Sequence, residues 1–301
     1  MLTVFVDGFW EEPASVTRLL GVKLEQHAGV SQRNARIGQH YKKSIIDSFD
    51  QHPDANFLAI LEEDLDVSVD ILSYLNSFYQ SMKTTKVSIV YQLGMTRVLK
   101  RKLFKNELEA TWPEPNEFVD WDMWMRANFN RKDRECIIPD ISRTYHFGGK
   151  GLNVGGLMQS KYFEKHTLNK EPNVKLDVEI MYKESYEREI DRLLSKAKIL
   201  DLAQTPCAKI KDAVPDTKDE LYVFYIRMDS IDDFKTWKHV ATCLRMWDLD
   251  ARGFHNSMWR FWLKKNHIIV VGCPASKYCS HKPDNIKPIY IPESVERPLD
   301  E

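Results

Sequence analysis

The chain has 301 residues, of which 43% are hydrophobic and 29% charged, and its formal net charge is −1. This composition supports one or two buried cores and excludes a disordered or fibrous protein. The small net charge argues against a nucleic-acid binder that works by bulk electrostatics, so no nucleic-acid partner is expected. No apolar run approaches the ~18 residues of a membrane helix.

Strand and helix patterns alternate along residues 1–100, which predicts a largely parallel sheet covered by helices. The apolar run 57–61 predicts a strand buried on both faces. The chain enters a strand pattern at Thr3, and no signal peptide opens it, so we expect a sequence that lacks its natural beginning. The predicted strands are 3–6, 22–26, 57–61 and 87–91, and the predicted helices are 13–20, 34–49 and 70–82.

The rest of the chain predicts an α/β organisation in two parts. A polar stretch with two prolines, 205–218, predicts a linker between domains 1–204 and 219–292, and residues 293–301 form a tail. Glycines are dense between residues 148 and 156, which indicates a tightly turned or mobile loop. Further helices are predicted at 102–109, 120–129, 182–200 and 232–246, and further strands at 135–138, 221–228 and 267–272.

Three carboxylates, Glu62, Glu63 and Asp64, directly follow the apolar run 57–61. Clustered carboxylates repel each other unless a cation meets them. Ligands of open α/β sheets bind beyond the carboxyl ends of the strands, so a hard divalent cation carrying a substrate diphosphate fits this position. The alternative is an acidic turn that stabilises the N-terminus of the next helix.

Residues 119–126 combine two tryptophans, two aspartates and an arginine. Tryptophan faces are good platforms for sugar rings, and an aspartate beside them can take a proton from a sugar hydroxyl. The alternative is a core helix whose tryptophans pack inward while the aspartates cap its N-terminus.

Three further features have both a functional and a plain structural interpretation. The segment 139–153 places Arg143, His146 and Lys150 around a glycine-rich turn, so it either closes over a diphosphate or is a surface connection. A lone histidine such as His40 on a predicted helix is more often structural. The aromatic and basic run 247–262 either binds an acceptor or forms the core of the second domain.

From the residues, two classes of function remain open. One is a metal-dependent transferase that uses a nucleotide-activated donor, with Asp64 on the metal and Asp122 as the base. The other is a carbohydrate- or protein-binding module that keeps the aromatic residues but has no turnover. The transferase interpretation predicts that the two aspartates converge on one cleft, within roughly 10 Å of each other.

Several strings, in order across nearly the whole chain, resemble the glycosyltransferase family of β-1,2-N-acetylglucosaminyltransferases that act on α-mannose. The resemblance is strongest to the members that act on O-linked mannose. The N-glycan members share the acidic motif, the W-D-x-W-M-R segment and the S-R-T loop, and they are the alternative. The strings are VFVDGFWEEP, NARIGQHYK, LEEDLDVSVD, WDMWMR, RECIIPDISRTYHFGGKGLN, YIRMD, TCLRMWDLDARG and KKNHIIVVGCPAS.

The resemblance implies a GT-A type, Rossmann-like nucleotide-sugar domain with a smaller C-terminal α/β lobe. It implies inverting transfer of GlcNAc from UDP-GlcNAc, with Mn²⁺, to the 2-hydroxyl of an α-linked mannose on O-mannosyl glycoproteins. The family resides in the Golgi lumen through a single-pass membrane anchor. This sequence contains no such anchor, so membrane contact is expected only through a segment absent from it.

The resemblance also assigns roles to residues of this chain. Asp64 is the expected metal ligand, and Asp122 is the expected catalytic base that deprotonates the mannose hydroxyl. Donor contacts are implied for Asp7 and His40 near the uridine, for Glu62 and Glu63 at the ribose and sugar, and for Ser142 and Arg143 on a loop over the diphosphate, while Trp121 neighbours the acceptor.

The chain departs from the family pattern in ways that bear on activity. The family's first strand has no counterpart, and a segment near residues 80–98 is shorter than in the family. The shortened part supplies the usual disulfide partner of Cys136, which is therefore expected to be unpaired, whereas Cys207 and Cys243 match positions that could pair. A truncated, non-catalytic glycan-binding remnant is the second alternative function.

Overall fold

The computed structural model of this chain describes residues 1–84, 91–92, 97–132, 134–135, 137–149, 164, 166–246, 253–292 and 294–295. The chain divides into two compact units. The first contains Met1–Asp66, Lys86–Ile137 and Gly148–Gly156, and the second contains Val67–Thr85, Ile138–Phe147 and Leu157–Glu301. No helix within the described residues is long and apolar enough to cross a bilayer.

The first unit opens with a β-α-β arrangement. The parallel strands β1 (Thr3–Asp7) and β2 (Lys23–His27) are joined by helix α1 (Glu11–Leu20). Gly21 ends α1 in the left-handed conformation at φ 64°, which glycine adopts without the steric cost of a Cβ. These elements confirm the strands and the helix predicted at the start of the chain.

Helix α2 (Arg33–Gln51) carries the core of the first unit on one face. Ile45 and Phe49, one helical turn apart, are each 1% exposed, as the apolar spacing of 34–49 predicts. They join one cluster with residues from distant parts of the chain, so α2 is the element on which the unit is assembled. The other buried members are Leu99, Leu103, Phe104, Leu108, Trp112, Trp121 and Trp124.

Strand β3 (Phe57–Ile60) corrects the prediction of a strand buried on both faces. Leu58 and Ile60 point to the core cluster on α2, whereas Ala59 between them is exposed. Side chains alternate across a strand, so only one face of β3 is covered. Strand β4 (Leu65–Val67) follows, so the acidic motif connects two strands and does not precede a helix.

The prediction of a largely parallel sheet is also wrong for part of the first unit. Strands β5 (Tyr91–Gln92) and β6 (Arg97–Lys100) form an antiparallel sheet with β3, in the order β3-β6-β5. Helix α3 (Ile71–Thr84), which belongs to the second unit, confirms the helix predicted at 70–82. Most of the strand predicted at 87–91 lies outside the described residues.

Short helical segments complete the described part of the first unit. Helix α4 (Arg101–Leu103) continues into a π-helical turn at Phe104–Leu108 and a 3₁₀ turn at Glu109–Thr111. The helix predicted at 120–129 is divided by Ala127 into α5 (Trp121–Arg126) and α6 (Asn128–Arg131). The described residues of the strand predicted at 135–138 are not in a strand, and Ile138 is 41% exposed.

The second unit contains strand β7 (Thr144–His146), helix α7 (Lys183–Leu194) and strand β8 (Lys198–Ile199). The helix predicted at 182–200 therefore ends at Leu194. After α8 (Cys207–Ala213) come β9 (Leu221–Met228), α9 (Lys235–Cys243), β10 (Met258–Leu263) and β11 (Asn266–Pro274).

The sheet of the second unit has the order β10-β11-β9-β8, with β11 parallel to β9 and antiparallel to β10. Residues Ile268 to Val271 at its centre are all fully buried, as their continuous apolar run predicts. Trp259 is buried and stacks on Trp237, so this part of the aromatic run is core. Residues 247–252 of that run lie outside the described part.

The structure contains the disulfide Cys207–Cys243, which confirms the pairing implied by the resemblance, and a second, Cys273–Cys279. Cys136 lies outside the described residues. The predicted domains 1–204 and 219–292 stay a prediction, and the compact units are divided differently. The segment predicted as a linker, 205–218, contains α8 and buries Ile210 and Val214 in the core of the second unit.

The chain thus has a mixed α/β fold. The GT-A arrangement in particular stays a prediction.

Candidate active site

Tyr41 on α2 joins two of the motifs found in the sequence. Its hydroxyl donates a hydrogen bond to Glu62, and its ring stacks on Trp121 with centroids 4.0 Å apart. Glu62 belongs to the acidic motif after β3, and Trp121 begins α5. One side chain of α2 therefore brings the acidic motif and the W-D-M-W-M-R segment to the same face of the first unit.

A second group of contacts surrounds the end of β1. Arg36, one turn before His40 on α2, forms an ion pair with Asp7 at 2.6 Å between Nε and Oδ2. His40 Nδ1 lies 2.9 Å from Nε2 of His27, so one imidazole donates and the other accepts. Burial lowers the pKa of His40, the positive form of His27 lowers it further, and Asp7 and Glu63 oppose this shift. His40 is therefore neutral at pH 7.

The two carboxylate oxygens of Asp7 have different surroundings. Among the described residues, Oδ1 of Asp7 is buried without a hydrogen-bond partner, while Oδ2 of the same carboxylate is held by Arg36. A buried acceptor left unsatisfied costs about 1–3 kcal/mol, so it favours a ligand that supplies an N–H or O–H donor. A nucleoside offers such donors on its base and its ribose.

A cavity of about 290 Å³ is lined in part by the histidine pair. Its size is near the lower limit of small-molecule pockets. Its lining residues are His27, Val30, Gln39, His40, Lys42, Lys43, Ile46 and Asp47.

Asp120 and Asp122 form a closely spaced carboxylate pair at the start of α5. Asp120 caps the helix by accepting a hydrogen bond from the backbone N–H of Asp122 at 3.2 Å, and Asp122 is paired with Arg126 one turn later. Burial raises the pKa of Asp120 to about 6, and the neighbouring Asp122 contributes to the same shift. The capping part of the structural interpretation of this segment is thus confirmed.

The tryptophans of the same segment are core residues. Trp121 is 5% exposed and Trp124 is 7% exposed, and the ring of Trp121 lies between Tyr41 and Trp112. A ring covered in this way offers no open face to a sugar. The role of Trp121 beside the acceptor stays a prediction, and what the structure supports is that Trp121 fixes the position of the neighbouring Asp122.

Asp64 lies against the glycine-rich segment. A Cβ built on Gly148 would collide with Oδ2 of Asp64 and lie 3.0 Å from its Cβ, whereas a Cβ on Gly149 would meet no atom of the described residues within 4 Å. The absence of a side chain at Gly148 therefore allows the loop backbone to approach the carboxylate. Residues 150–163 of this segment lie outside the described part.

Ser142 and Arg143 belong to the second unit, where their polar groups are used internally. Arg143 is 4% exposed, pairs with Asp70 at 3.1 Å and lies over the ring of Tyr74. The hydroxyl of Ser142 donates to the carbonyl of Thr144 at 2.6 Å. These contacts order the loop backbone, and a contact of either residue with a diphosphate stays a prediction.

Sequence reasoning did not find Tyr41, Arg36 or Asp70. An acidic residue just before the helix that begins at Ile71 is a signal that could have identified Asp70, because such residues favour helix N-termini. Tyr41 gave no signal beyond an apolar helix position.

Comparison with known proteins places the chain among glycosyltransferases. The model of the GNT-I family matches residues 89–248, which is more than half of the 301 residues. The matched range includes Trp121, Asp122, Ser142 and Arg143, while the acidic motif precedes it. A relative, the alpha-1,3-mannosyl-glycoprotein 2-beta-N-acetylglucosaminyltransferase of Arabidopsis thaliana, is 29% identical over 157 residues. That alignment covers 44% of this chain and 34% of the relative, so the chain spans about a third of the relative's length. The chain belongs to the GNT-I family.

Proposed function

We propose that the chain is a β-1,2-N-acetylglucosaminyltransferase that moves GlcNAc from UDP-GlcNAc to the 2-hydroxyl of an α-linked mannose. The observation that carries this proposal is the pair of contacts made by Tyr41, which bring the acidic motif and the segment of Asp122 to one face of α2. A transferase needs this proximity between donor and base, and a binding module does not.

The acceptor is the point on which the sequence expectation changes. The sequence strings favour O-linked mannose, but the relative acts, by its name, on an α-1,3-mannosyl glycoprotein. This name favours the N-glycan alternative. We therefore propose the mannose of an N-glycan as the preferred acceptor and an O-mannosyl peptide as the second candidate.

In the proposed donor site, Asp7 would accept a hydrogen bond from the nucleoside, because its Oδ1 is buried without a partner among the described residues. The ion pair with Arg36 holds this carboxylate in place. His40, held by His27 at 2.9 Å, adds a neutral hydrogen-bonding group on the same side of α2.

Asp64 would hold a divalent cation, for which Mn²⁺ is the candidate. The residues fit such an ion, because cations that carry a diphosphate need only one or two carboxylates, the rest of their ligands being phosphate oxygens and water. When bound, the cation supplies charge neutralisation for the departing diphosphate. Because Gly148 has no side chain, the loop backbone lies against the Asp64 carboxylate and limits where it can move.

Asp122 would take the proton from the attacking mannose hydroxyl. A base of this kind must be ionised and fixed in position. Arg126 provides the opposite charge beside it, and the Asp120 cap and the buried neighbour Trp121 fix the helix turn from which it projects.

The test is transfer by the full chain from labelled UDP-GlcNAc to two acceptors, a glycopeptide ending in α-1,3-linked mannose and an O-mannosyl peptide. We expect Asp122→Asn to lower transfer by about 10²–10⁴-fold, and Asp64→Ala to abolish its dependence on Mn²⁺. Asp66→Asn, which changes an exposed carboxylate nearby, is the matched control.

Binding of both acceptors without transfer to either would show the glycan-binding remnant instead. Preferential transfer to the O-mannosyl peptide would restore the first acceptor expectation.

A further inference from the structure

Three potential metal ligands meet between α8 and α9 in the second unit, apart from the residues used above. Cys207 begins α8, Cys243 ends α9, and His239 lies four residues before Cys243 on α9. Residues four apart lie on the same face of a helix. A sulfur of each cysteine and a ring nitrogen of His239 all lie within 4.8 Å of one another.

His239 provides a second, independent indication of a ligand. Its side chain is 9% exposed, and its Nδ1 is buried without a hydrogen-bond partner among the described residues. Buried polar atoms are normally satisfied, and the two sulfurs beside this ring are the neighbours with which it can share an ion.

We propose that Cys207, His239 and Cys243 form a redox-controlled zinc site, closed as a disulfide when oxidised and able to bind one Zn²⁺ when reduced. Two thiolates and one imidazole are a ligand set that zinc prefers, and its fourth position is open to water. In the oxidised protein both sulfurs are used in the disulfide, so the site has no thiolate to offer.

The proposed step balances as a thiol–disulfide exchange followed by metal binding. A dithiol reductant gives two electrons and two protons to the Cys207–Cys243 bond and becomes a disulfide itself. The two cysteine thiols then lose their protons to solvent as Zn²⁺ binds. Because α8 and α9 are tied by the disulfide in one state and by the ion in the other, both states keep the two helices together.

The experiment uses Co²⁺ as a spectroscopic probe and Zn²⁺ as competitor, on the full chain before and after treatment with a phosphine reductant. We expect the reduced protein to bind one equivalent of Co²⁺ with thiolate charge-transfer and tetrahedral ligand-field bands, and Zn²⁺ to displace it. The oxidised protein should show neither band.

Substitutions assign the ligands. His239→Gln should weaken Co²⁺ binding at least about tenfold, the effect that even secondary metal-site changes produce, whereas His52→Gln should leave it unchanged. Cys136→Ser and the double change Cys273→Ser, Cys279→Ser should also bind one equivalent, which excludes the other cysteines.

Equal binding by the reduced His239→Gln variant, or by the oxidised protein, would overturn the proposal. If His239→Gln does not fold, zinc protection of the wild type decides the question. Zinc should slow alkylation of Cys207 and Cys243 in the reduced wild-type protein, and unchanged alkylation rates would likewise overturn it.

Discussion

The carboxylate of Asp64 lies so close to Gly148 that the position has no room for a side chain. Gly148→Ala must therefore displace Asp64 or the loop. A displacement of about 1 Å at a reacting site can cost about 10²-fold in rate, so we expect a loss of tenfold to a hundredfold in Mn²⁺-dependent transfer. The measurement is the Mn²⁺ dependence of kcat/KM.

Gly149→Ala is the matched control, because a Cβ there meets none of the atoms in the described part of the chain within 4 Å. It adds the same methyl group to the neighbouring position of the same segment. Equal losses in the two variants would mean that the glycines act through loop flexibility and not through their distance from Asp64.

Tyr41 makes two separable contacts, a hydrogen bond to Glu62 and a stack on Trp121. Tyr41→Phe removes the first and keeps the second. We expect weaker binding of UDP-GlcNAc, because Glu62 loses the contact that fixes its position, and a fall of up to about 1.5–3 kcal/mol in the free energy of unfolding, the contribution of a hydrogen bond to a charged group. Calorimetric titration of the donor measures the first effect and urea unfolding the second.

Tyr41→Leu should lower the free energy of unfolding more than Tyr41→Phe does, because it also removes a stacked ring from the core. Tyr290→Phe, at a residue that is 61% exposed, is the control for loss of a tyrosine hydroxyl. Unchanged affinity for UDP-GlcNAc in Tyr41→Phe would show that Glu62 is not part of the donor site.

The ion pair of Asp70 and Arg143 is buried on both sides, with side chains 2% and 5% exposed. Removing one partner of a buried pair leaves an uncompensated charge, which costs about 3–5 kcal/mol. We expect a loss of this size in the free energy of unfolding for Asp70→Asn and for Arg143→Met, measured in urea. Asp47→Asn, in an exposed pair with Lys43, should cost about 1 kcal/mol or less.

The stabilisation that this ion pair provides depends on pH in a defined direction. Burial alone would raise the pKa of Asp70, but hydrogen bonds from Ser68 and Asn169 and the charge of Arg143 outweigh it, so the pKa is lowered. A depressed carboxyl pKa stabilises the folded state above the unfolded pKa of about 3.9, and this stabilisation is lost as the pH falls through the lower folded value. Asp70→Asn should therefore flatten the acid limb of the stability profile. An unchanged acid limb would contradict the assignment.

How far the sequence predicts the fold depends on whether the pattern is local. Gly21 ends a helix through its own backbone freedom, and the spacing of Ile45 and Phe49 identifies one face of α2. The strand at 57–61 was predicted from similar composition to the run at Ile268–Val271, yet only the second is buried on both faces. Burial of a strand depends on which neighbours cover it, and those neighbours are distant in sequence.

The candidate site shows the same division. Glu62 and Asp64 are visible in the sequence because carboxylates that follow a strand predict a ligand site, whereas Asp7 is identified only through the resemblance. Tyr41 cannot be identified in this way, because its role depends on a contact with Trp121, which is distant in sequence and comes close only in the folded structure. The type of the tryptophans leaves two interpretations open, a sugar platform or a core helix, and the structure places them in the core.

Asp120 should make the stability of the folded state depend on pH, and Asp120→Asn should remove this dependence. The pKa of Asp120 is raised to about 6 by burial and by Asp122. Between the unfolded pKa of about 3.9 and pH 6 the folded state retains a proton that the unfolded state has lost, so stability falls as the pH rises through this window. Asparagine caps helices as well as aspartate, so the variant keeps the cap and loses the charge.

The same change should appear in catalysis if Asp122 is the base. Above pH 6 the ionised Asp120 places a second negative charge beside Asp122 and increases its affinity for a proton. We therefore expect the wild-type profile of kcat/KM against pH to contain an inflection near 6 that Asp120→Asn lacks. The control is Glu117→Gln, which removes an exposed carboxylate shortly before α5 and should retain the inflection. An inflection that persists in Asp120→Asn belongs to another group. The candidate is His40 of the proposed donor site, because burial lowers its pKa from the usual value. A parallel measurement on His40→Gln tests that assignment.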